Sequence, residues 1–163
     1  MSRPGSEAEN IVLIGMPGCG KTVIGAILAK RMKRPFFDTD KMVEKMAGRS
    51  IPQIFAAEGE AVFRDLERQA TMLAAYGQGR VIASGGGTVL DAKNGCALAK
   101  NGRFYFIERA LELLPLEGRP LSIDVHALYT ARLPLYASLA AATIYNDTTI
   151  EEAAKKIIAL HIE

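Results

Sequence analysis

Short apolar runs alternate with amphipathic stretches along the chain from Asn10 onward. Five of the apolar runs have the length of buried strands, and they cover residues 10–15, 34–38, 80–84, 103–107 and 142–145. The stretches between them carry apolar side chains at helical spacing. Because buried strands alternate with helices, the pattern predicts an α/β fold built on a mostly parallel sheet.

Capping and breaking residues mark the ends of several predicted helices. Ser50 is typical of a helix N-cap, with Pro52 tolerated in the first turn, and Asp91 is a second candidate cap. Gly48 closes one helix, and Gly59 predicts a break before a long one. The pattern thus predicts helices over residues 23–33, 41–47, 50–58, 60–76, 91–100, 108–114 and 150–161.

The segment from Gly15 to Thr22 fits G-x-x-x-x-G-K-[ST], the pattern of a phosphate-binding P-loop, and lies between a predicted strand and a predicted helix. Glycines let backbone N–H groups turn toward phosphate oxygens, and the helix adds the positive end of its dipole. We expect Lys21 to reach the β- and γ-phosphates and the Thr22 hydroxyl to bind Mg²⁺. A glycine-rich turn that merely contains a lysine is the alternative, but the complete motif in its proper setting favours an ATP or GTP site. Its nucleotide-binding residues are expected to be Gly18, Cys19, Gly20, Lys21, Thr22 and Val23.

Two more polar segments follow predicted strands. Asp38, Thr39 and Asp40 end the second strand, and three glycines at residues 85–87 follow the third. Because ligands of parallel α/β sheets bind at the carboxyl ends of the strands, we expect both segments to face the P-loop. The carboxylates could bind a metal and orient a hydroxyl group, or Thr39 or Asp40 could instead cap the helix that begins at Lys41. The glycines indicate either close approach of the backbone to a ligand or a flexible turn.

An arginine and a glutamate share one face of the long predicted helix. Arg64 and Glu67 are three residues apart and so are able to form an ion pair. Such pairs lie most often on a solvated surface, which is the alternative to a place in the site.

Composition and charge narrow the classes of function. The chain has 163 residues, of which 49% are hydrophobic and 23% charged, as expected for one globular domain. Its net charge of +2 does not indicate a nucleic-acid partner. No apolar run is long enough to span a membrane, and residues 1–9 lack the apolar region of a signal peptide. We expect a disordered tail over residues 1–9, a single domain over 10–163, and neither a membrane nor a nucleic-acid partner.

The two cysteines, Cys19 and Cys96, have no metal-ligand spacing. A disulfide at Cys19 would obstruct the P-loop, so we expect a reducing, cytoplasmic setting.

The motifs form an ordered set. They are G-x-x-G-x-G-K-T at 15–22, F-x-D-T-D at 36–40, F-R-x-x-E at 63–67, G-G-G at 85–87, R-P-L at 119–121 and R-x-P-L-Y at 132–136. In this order, and over nearly the whole chain, the set resembles the shikimate kinases, small P-loop kinases of the nucleoside-monophosphate-kinase-like type. The resemblance implies a three-layer P-loop kinase fold with a central five-stranded sheet flanked by helices. It also implies a monomer that uses ATP to phosphorylate the 3-hydroxyl of shikimate in aromatic amino acid biosynthesis.

The resemblance also implies which residues act at the phosphate. Asp38 would hold Mg²⁺ through water, together with Thr22. Asp40 would bind ring hydroxyls of shikimate and serve as the base for the attacking 3-hydroxyl. Lys21 and Arg119 would complete the catalytic set, with Arg119 reaching the transferring phosphate from a mobile lid over about residues 115–131. Closure of that lid would exclude water.

The remaining implied residues bind the acceptor. Arg64 and Arg132 would hold the shikimate carboxylate, for which the forked guanidinium group is better suited than an ammonium. Gly85, Gly86 and Gly87 would bring backbone amides to the substrate.

The chain departs from the family pattern in and beside the lid. The segment between Arg119 and Arg132 is shorter than usual and lacks lysine, and residues 111–117 lack the arginine that commonly precedes R-P-L near the adenine. Arg109 is the nearest substitute, and residues 146–149 contain no arginine to cover the base. These departures are expected to affect nucleotide affinity and turnover more than the type of reaction.

Two other functions fit the same motifs. A gluconate- or nucleotide-type kinase on this scaffold would take an acceptor that Arg64 and Arg132 do not hold by a carboxylate. A kinase-like binding protein would hold the nucleotide without useful transfer, and the short lid is the reason to consider it.

Overall fold

The structure of the protein, a computed structural model, describes residues 7–114 and 124–162. The strands in these ranges are β1 (Asn10–Ile14), β2 (Phe36–Asp38), β3 (Val81–Ala83), β4 (Gly102–Glu108) and β5 (Ala142–Tyr145). The α-helices are α1 (Lys21–Met32), α2 (Thr39–Ala47), α3 (Ile51–Glu58), α4 (Glu60–Ala75), α5 (Ala92–Ala99), α6 (Val125–Leu139) and α7 (Ile150–Ile162). Two short 3-10 helices cover Thr88–Leu90 and Leu111–Leu113.

The five strands form one parallel sheet in the order β2-β3-β1-β4-β5. Every residue of β1 is buried, so the sheet is covered by helices on both faces. Helix α1 packs against α7, whereas α4 packs against α2, α3 and α5. The predicted α/β fold with a five-stranded parallel sheet is therefore confirmed. Because all strands are parallel, their carboxyl ends meet at one edge, and the P-loop, the triplet ending at Asp40 and the triple glycine follow those ends.

Local sequence signals placed most of the helix ends correctly. Ser50 forms a capping box with Gln53, and Asp91 caps α5 by accepting from the amide of Lys93. Gly59, at φ 86°, separates α3 from α4 as predicted. The break at Gly59 marks the start of the helix that carries Arg64, and the Asp91 cap fixes the helix that follows the triple glycine.

The chain between residues 108 and 139 differs from the prediction. The helix predicted over 108–114 is wrong, because β4 continues through Glu108 and is followed by a 3-10 helix. The sequence pattern predicted no helix over Val125–Leu139, the range of α6. That helix contains Pro134 and is apolar on most of its circumference, so neither a clear polar face nor an unbroken run indicated it. The lid predicted over 115–131 thus includes the first turns of α6, and its residues 115–123 lie outside the described residues.

Residues just before β1 also differ from the prediction of a disordered tail over 1–9. The Ala8 carbonyl accepts hydrogen bonds from the Gly79 amide (2.9 Å) and the Asn101 side chain (2.8 Å), so this part is fixed against the sheet. Residues 1–6 lie outside the described ranges. Among the helices described, none has the length and apolarity needed to cross a membrane.

Candidate active site

The P-loop connects β1 to α1, and its glycines allow an approach that side chains would block. A β-carbon on Gly15 would lie 2.5 Å from the Ile107 carbonyl oxygen, and one on Gly20 would lie 2.6 Å from Asn146 Nδ2. Both glycines have positive φ angles, 148° and 110°. Lys21 is the first residue of α1, and its ammonium donates to the carbonyl oxygens of Gly15 (2.6 Å) and Met16 (2.9 Å). The loop therefore presents a buried lysine at the start of a helix.

A hydroxyl and a carboxylate meet beside the loop. Thr22 Oγ1 donates to Asp38 Oδ2 at 2.6 Å. The other oxygen of Asp38 accepts from the Lys41 amide at 3.2 Å, so Asp38 also caps α2. Asp38 is thus the N-cap of α2, in place of the expected Thr39 or Asp40, and its second oxygen binds the Thr22 hydroxyl. Oxygen atoms of this kind, combined with phosphate oxygens, are what Mg²⁺ prefers, and the pair fits that ion. No cluster of three or more His, Cys, Asp or Glu side chains suited to a metal occurs in the described part of the chain.

Asp40 lies in the first turn of α2 and lines the same cavity as Lys21. Burial raises the pKa of its carboxyl to about 6 from the usual 3.8, and the negative charges of Asp38 and Glu67 act in the same direction. Lys21 opposes this shift. The carboxylate is therefore ionised at neutral pH and is a stronger base than an exposed aspartate.

The triple glycine brings three charged side chains together. A β-carbon on Gly85 would lie 2.5 Å from Asp40 Oδ1, and one on Gly87 would lie 2.9 Å from Arg64 Nη1. A β-carbon on Gly86 would lie 3.1 Å from Arg132 Nη1. Asp40, Arg64 and Arg132 therefore surround one short turn, where any side chain larger than hydrogen would fill the space between them.

Arg64 is oriented by a buried carboxylate. Its Nη1 donates to Glu67 Oε1 at 2.9 Å, and the Glu67 side chain is 2% exposed. The second oxygen of Glu67 accepts from Thr88 Oγ1 at 3.0 Å. The alternative of a solvated surface pair is wrong, because Glu67 is buried. The spacing of Arg64 and Glu67 predicted their ion pair but not the hydrogen bond from Thr88. The position of Thr88 directly after the triple glycine was the signal that could have indicated this contact.

Arg132 projects from α6 toward the same turn. Its Nε and Nη1 atoms are buried and have no hydrogen-bond partner among the described residues. A buried guanidinium group with unpaired donors is costly to a protein unless an anion completes it. The arrangement therefore suits a carboxylate held between Arg132 and Arg64.

A cavity of about 700 Å³ opens beside this turn. Arg109, which the sequence offered as the nearest substitute for the arginine beside the adenine, lines its wall together with Leu113 and the segment 146–151. Arg109 Nη1 donates to the Gly18 carbonyl at 3.4 Å, and Asn146 Nδ2 donates to the Cys19 carbonyl at 2.9 Å. Both residues follow neighbouring strands, so their contact with the P-loop depends on the order β1-β4-β5, which spacing alone does not reveal.

The predicted residues are distributed as follows. Gly18, Gly20, Lys21, Thr22, Val23, Asp38, Asp40 and Gly86 line the cavity, and Cys19 lies buried within the P-loop beside Lys21. Arg64, Arg132, Gly85 and Gly87 surround the adjoining turn. Arg119 lies outside the described residues.

Known proteins are similar to this chain in sequence and in fold. A sequence model of the shikimate kinase family matches residues 17–161. The shikimate kinase of Symbiobacterium thermophilum is 43% identical over 151 residues, which cover 85% of this chain and 87% of that protein. The structure of shikimate kinase from Acinetobacter baumannii in complex with shikimate superposes with a TM-score of 0.88 at 32% identity, covering 94% of this chain and 92% of that one.

A gluconokinase from Sinorhizobium meliloti is also similar, with a TM-score of 0.55. At 15% identity this likeness shows the common fold alone. The family match, the relatives and the structure with bound shikimate all point to the family that the ordered motifs resemble. The chain therefore belongs to the shikimate kinase family and is an ATP-dependent enzyme that phosphorylates shikimate.

Proposed function

We propose that the cavity carries out the transfer of the ATP γ-phosphate to the 3-hydroxyl of shikimate with Asp40 as base and Arg64 and Arg132 as the carboxylate site. The observation that carries this assignment is the convergence of these three side chains on the triple glycine, beside the cavity that Lys21 lines. An acceptor with a hydroxyl near Asp40 and a carboxylate near the two arginines would donate a hydrogen bond to Asp40 and give the guanidinium groups a negatively charged partner.

The P-loop side holds the phosphates. Backbone amides of residues 18–23 and the Lys21 ammonium bind the phosphate chain, and Arg119 is proposed to steady the transferring group. Thr22 and Asp38 are proposed to hold Mg²⁺, which would neutralise charge on the phosphates. Arg109, Leu113 and Asn146 line the part of the cavity that remains for the nucleoside.

Asp40 moves the proton. Its carboxylate accepts the hydrogen of the 3-hydroxyl as that oxygen forms its bond to the γ-phosphorus, while the bond from phosphorus to the bridging oxygen of ADP breaks. A pKa of about 6 places the base in its ionised form at neutral pH and gives it more proton affinity than an ordinary aspartate.

A coupled ADP-release assay with ATP, Mg²⁺ and a panel of acceptors tests the proposed activity. We expect ADP release with shikimate and background release with gluconate or a nucleoside monophosphate. Release with gluconate or a nucleotide instead would support the related kinase, and nucleotide binding without any release would support the binding protein. Product analysis should show phosphate on the 3-hydroxyl.

Replacing Arg64 with alanine should raise KM for shikimate by about ten- to hundredfold, because a charge-assisted bond to the carboxylate is lost. The KM for ATP should stay within a factor of about two, since Arg64 does not line the nucleotide part of the cavity. Steady-state kinetics with each substrate varied in turn measure the split.

Arg68→Ala is the matched control for that prediction. Arg68 lies one turn further along α4 and pairs with Asp91 at the surface, with 46% of its side chain exposed. Its removal should leave both KM values unchanged. An unchanged KM for shikimate in the Arg64 variant would contradict the proposed carboxylate site.

We further propose a monomer, because one chain supplies every residue of the site described above. A cytoplasmic location is proposed from the two cysteines, which are free and of which Cys19 is buried in the P-loop. The proposal includes no role for a nucleic acid or a membrane.

A further inference from the structure

We propose that Tyr136 is a positioning residue for shikimate, which holds the triple-glycine turn at the correct distance from Arg132. Its hydroxyl donates to the Gly86 carbonyl oxygen at 2.5 Å. This inference rests on the proposed assignment of Arg132 and the glycines to the shikimate site.

The hydroxyl of Tyr136 is an unusual group for its place in the core. The side chain is fully buried, and its ring packs on Phe106 with the centroids 5.2 Å apart. A phenylalanine would fill the same space. Burial raises the pKa of Tyr136 to about 12, so the phenol remains a hydrogen-bond donor at every working pH. A buried hydroxyl needs a partner, and Tyr136 donates to a carbonyl of the substrate-binding turn while its oxygen also interacts with the Arg132 side chain.

The position of that turn is tightly bounded. On one side, a β-carbon at Gly86 would come within 2.7 Å of the Pro17 ring in the P-loop. On the other side, the guanidinium groups of Arg132 and Arg64 approach Gly86 and Gly87. A shift of a few tenths of an ångström would therefore change the space in which the carboxylate is to be held.

Helix α6 supplies both Arg132 and Tyr136. The two residues are four positions apart, one turn of the helix, and so lie on the same face. The bond from Tyr136 to the Gly86 carbonyl therefore fixes the distance between the Arg132 side chain and the triple-glycine turn. The bond thus joins the helix that follows the lid to the turn that contacts the substrate.

Tyr129 provides a matched comparison on the same helix. It lies seven residues before Tyr136, and its hydroxyl donates to the carboxylate of Glu108 at the end of β4. It therefore holds α6 to the sheet but makes no contact with the triple glycine.

The test compares Tyr136→Phe with Tyr129→Phe. We expect Tyr136→Phe to raise KM for shikimate by about threefold to tenfold, the range for one lost hydrogen bond, with KM for ATP within a factor of about two. Tyr129→Phe should leave KM for shikimate unchanged. The inference is wrong if KM for shikimate does not rise in Tyr136→Phe, if both KM values rise together, or if Tyr129→Phe has the same effect.

A loss of packing is separated from a loss of positioning by thermal unfolding. Tyr136→Phe should show a smaller rise in Tm on addition of shikimate than the wild type, and an equal rise on addition of ATP. A lower Tm with an unchanged response to shikimate would overturn the inference. Phe106→Leu, which disturbs the ring contact but keeps the hydroxyl, should lower Tm without changing KM for shikimate. Failure of the wild type to phosphorylate shikimate would instead refute the proposed function.

Discussion

Replacing Asp40 with asparagine should lower kcat for shikimate by about 10²- to 10⁴-fold, the range for loss of a general base. Asparagine keeps the shape of the side chain and is able to accept a hydrogen bond from the hydroxyl, but it cannot take its proton. The KM for ATP should therefore change little. Single-turnover measurements of phosphate transfer at saturating ATP and shikimate provide the value.

The pH dependence of the wild type gives an independent check on the base. Because the pKa of Asp40 is about 6, kcat/KM should rise as the pH increases through 6 and reach a plateau above pH 7. The residual activity of Asp40→Asn should lack this rise. Asp65→Asn, which removes an exposed carboxylate of α4 that accepts from Gln69, is the control and should behave as the wild type does.

The Asp40→Asn substitution should also stabilise the fold at neutral pH. A carboxyl whose pKa is higher in the folded chain favours folding below its unfolded value of 3.8, and this contribution is lost as the pH rises through about 6. Above pH 7 the buried charge costs on the order of 1–3 kcal/mol relative to asparagine, which corresponds to a Tm about 5 °C higher for the variant. The difference should shrink toward pH 4. Equal Tm values for the wild type and Asp40→Asn at pH 7.5 would show that the Asp40 charge does not destabilise the fold. An unaltered kcat would show that Asp40 is not the base.

The contiguous motifs were the part of the site that the sequence could predict. The P-loop and the triplet ending at Asp40 each lie within a few residues of a strand end, so a local pattern fixes their place at the carboxyl edge. The triple glycine is predictable for the same reason. Only the family resemblance named its partners Arg64 and Arg132, because no local pattern shows how α4 and α6 pack against the turn.

The sequence failed where tertiary structure decides. Glu67 looks like half of a surface pair, yet the turn at Thr88 covers it and leaves it 2% exposed. Helix α6 carries a proline in its interior, where a local pattern indicates a break, and nevertheless runs from Val125 to Leu139. Arg109 reaches the P-loop only because β4 is the neighbour of β1 in the sheet. None of these features corresponds to a fixed spacing of residues along the chain.

Replacing Lys21 with alanine should lower kcat by about 10³-fold, because a buried cation that offsets charge on the transferring phosphate is removed. Lys21 is 8% exposed, and two P-loop carbonyls hold its ammonium beside the proposed phosphate site. No solvent ion replaces a charge fixed in this way.

Lys21 also acts on the base, which gives the substitution a second signature. Its positive charge lowers the pKa of Asp40 against burial and against the charges of Asp38 and Glu67. Without it, the acid limb of the residual activity should move to higher pH. Lys45→Ala removes an exposed lysine at the end of α2 and should alter neither kcat nor the pH profile. A reduced kcat with an unshifted pH profile in Lys21→Ala would show that the lysine does not influence the pKa of Asp40. A wild-type kcat would contradict the proposed role of the P-loop lysine in phosphate transfer.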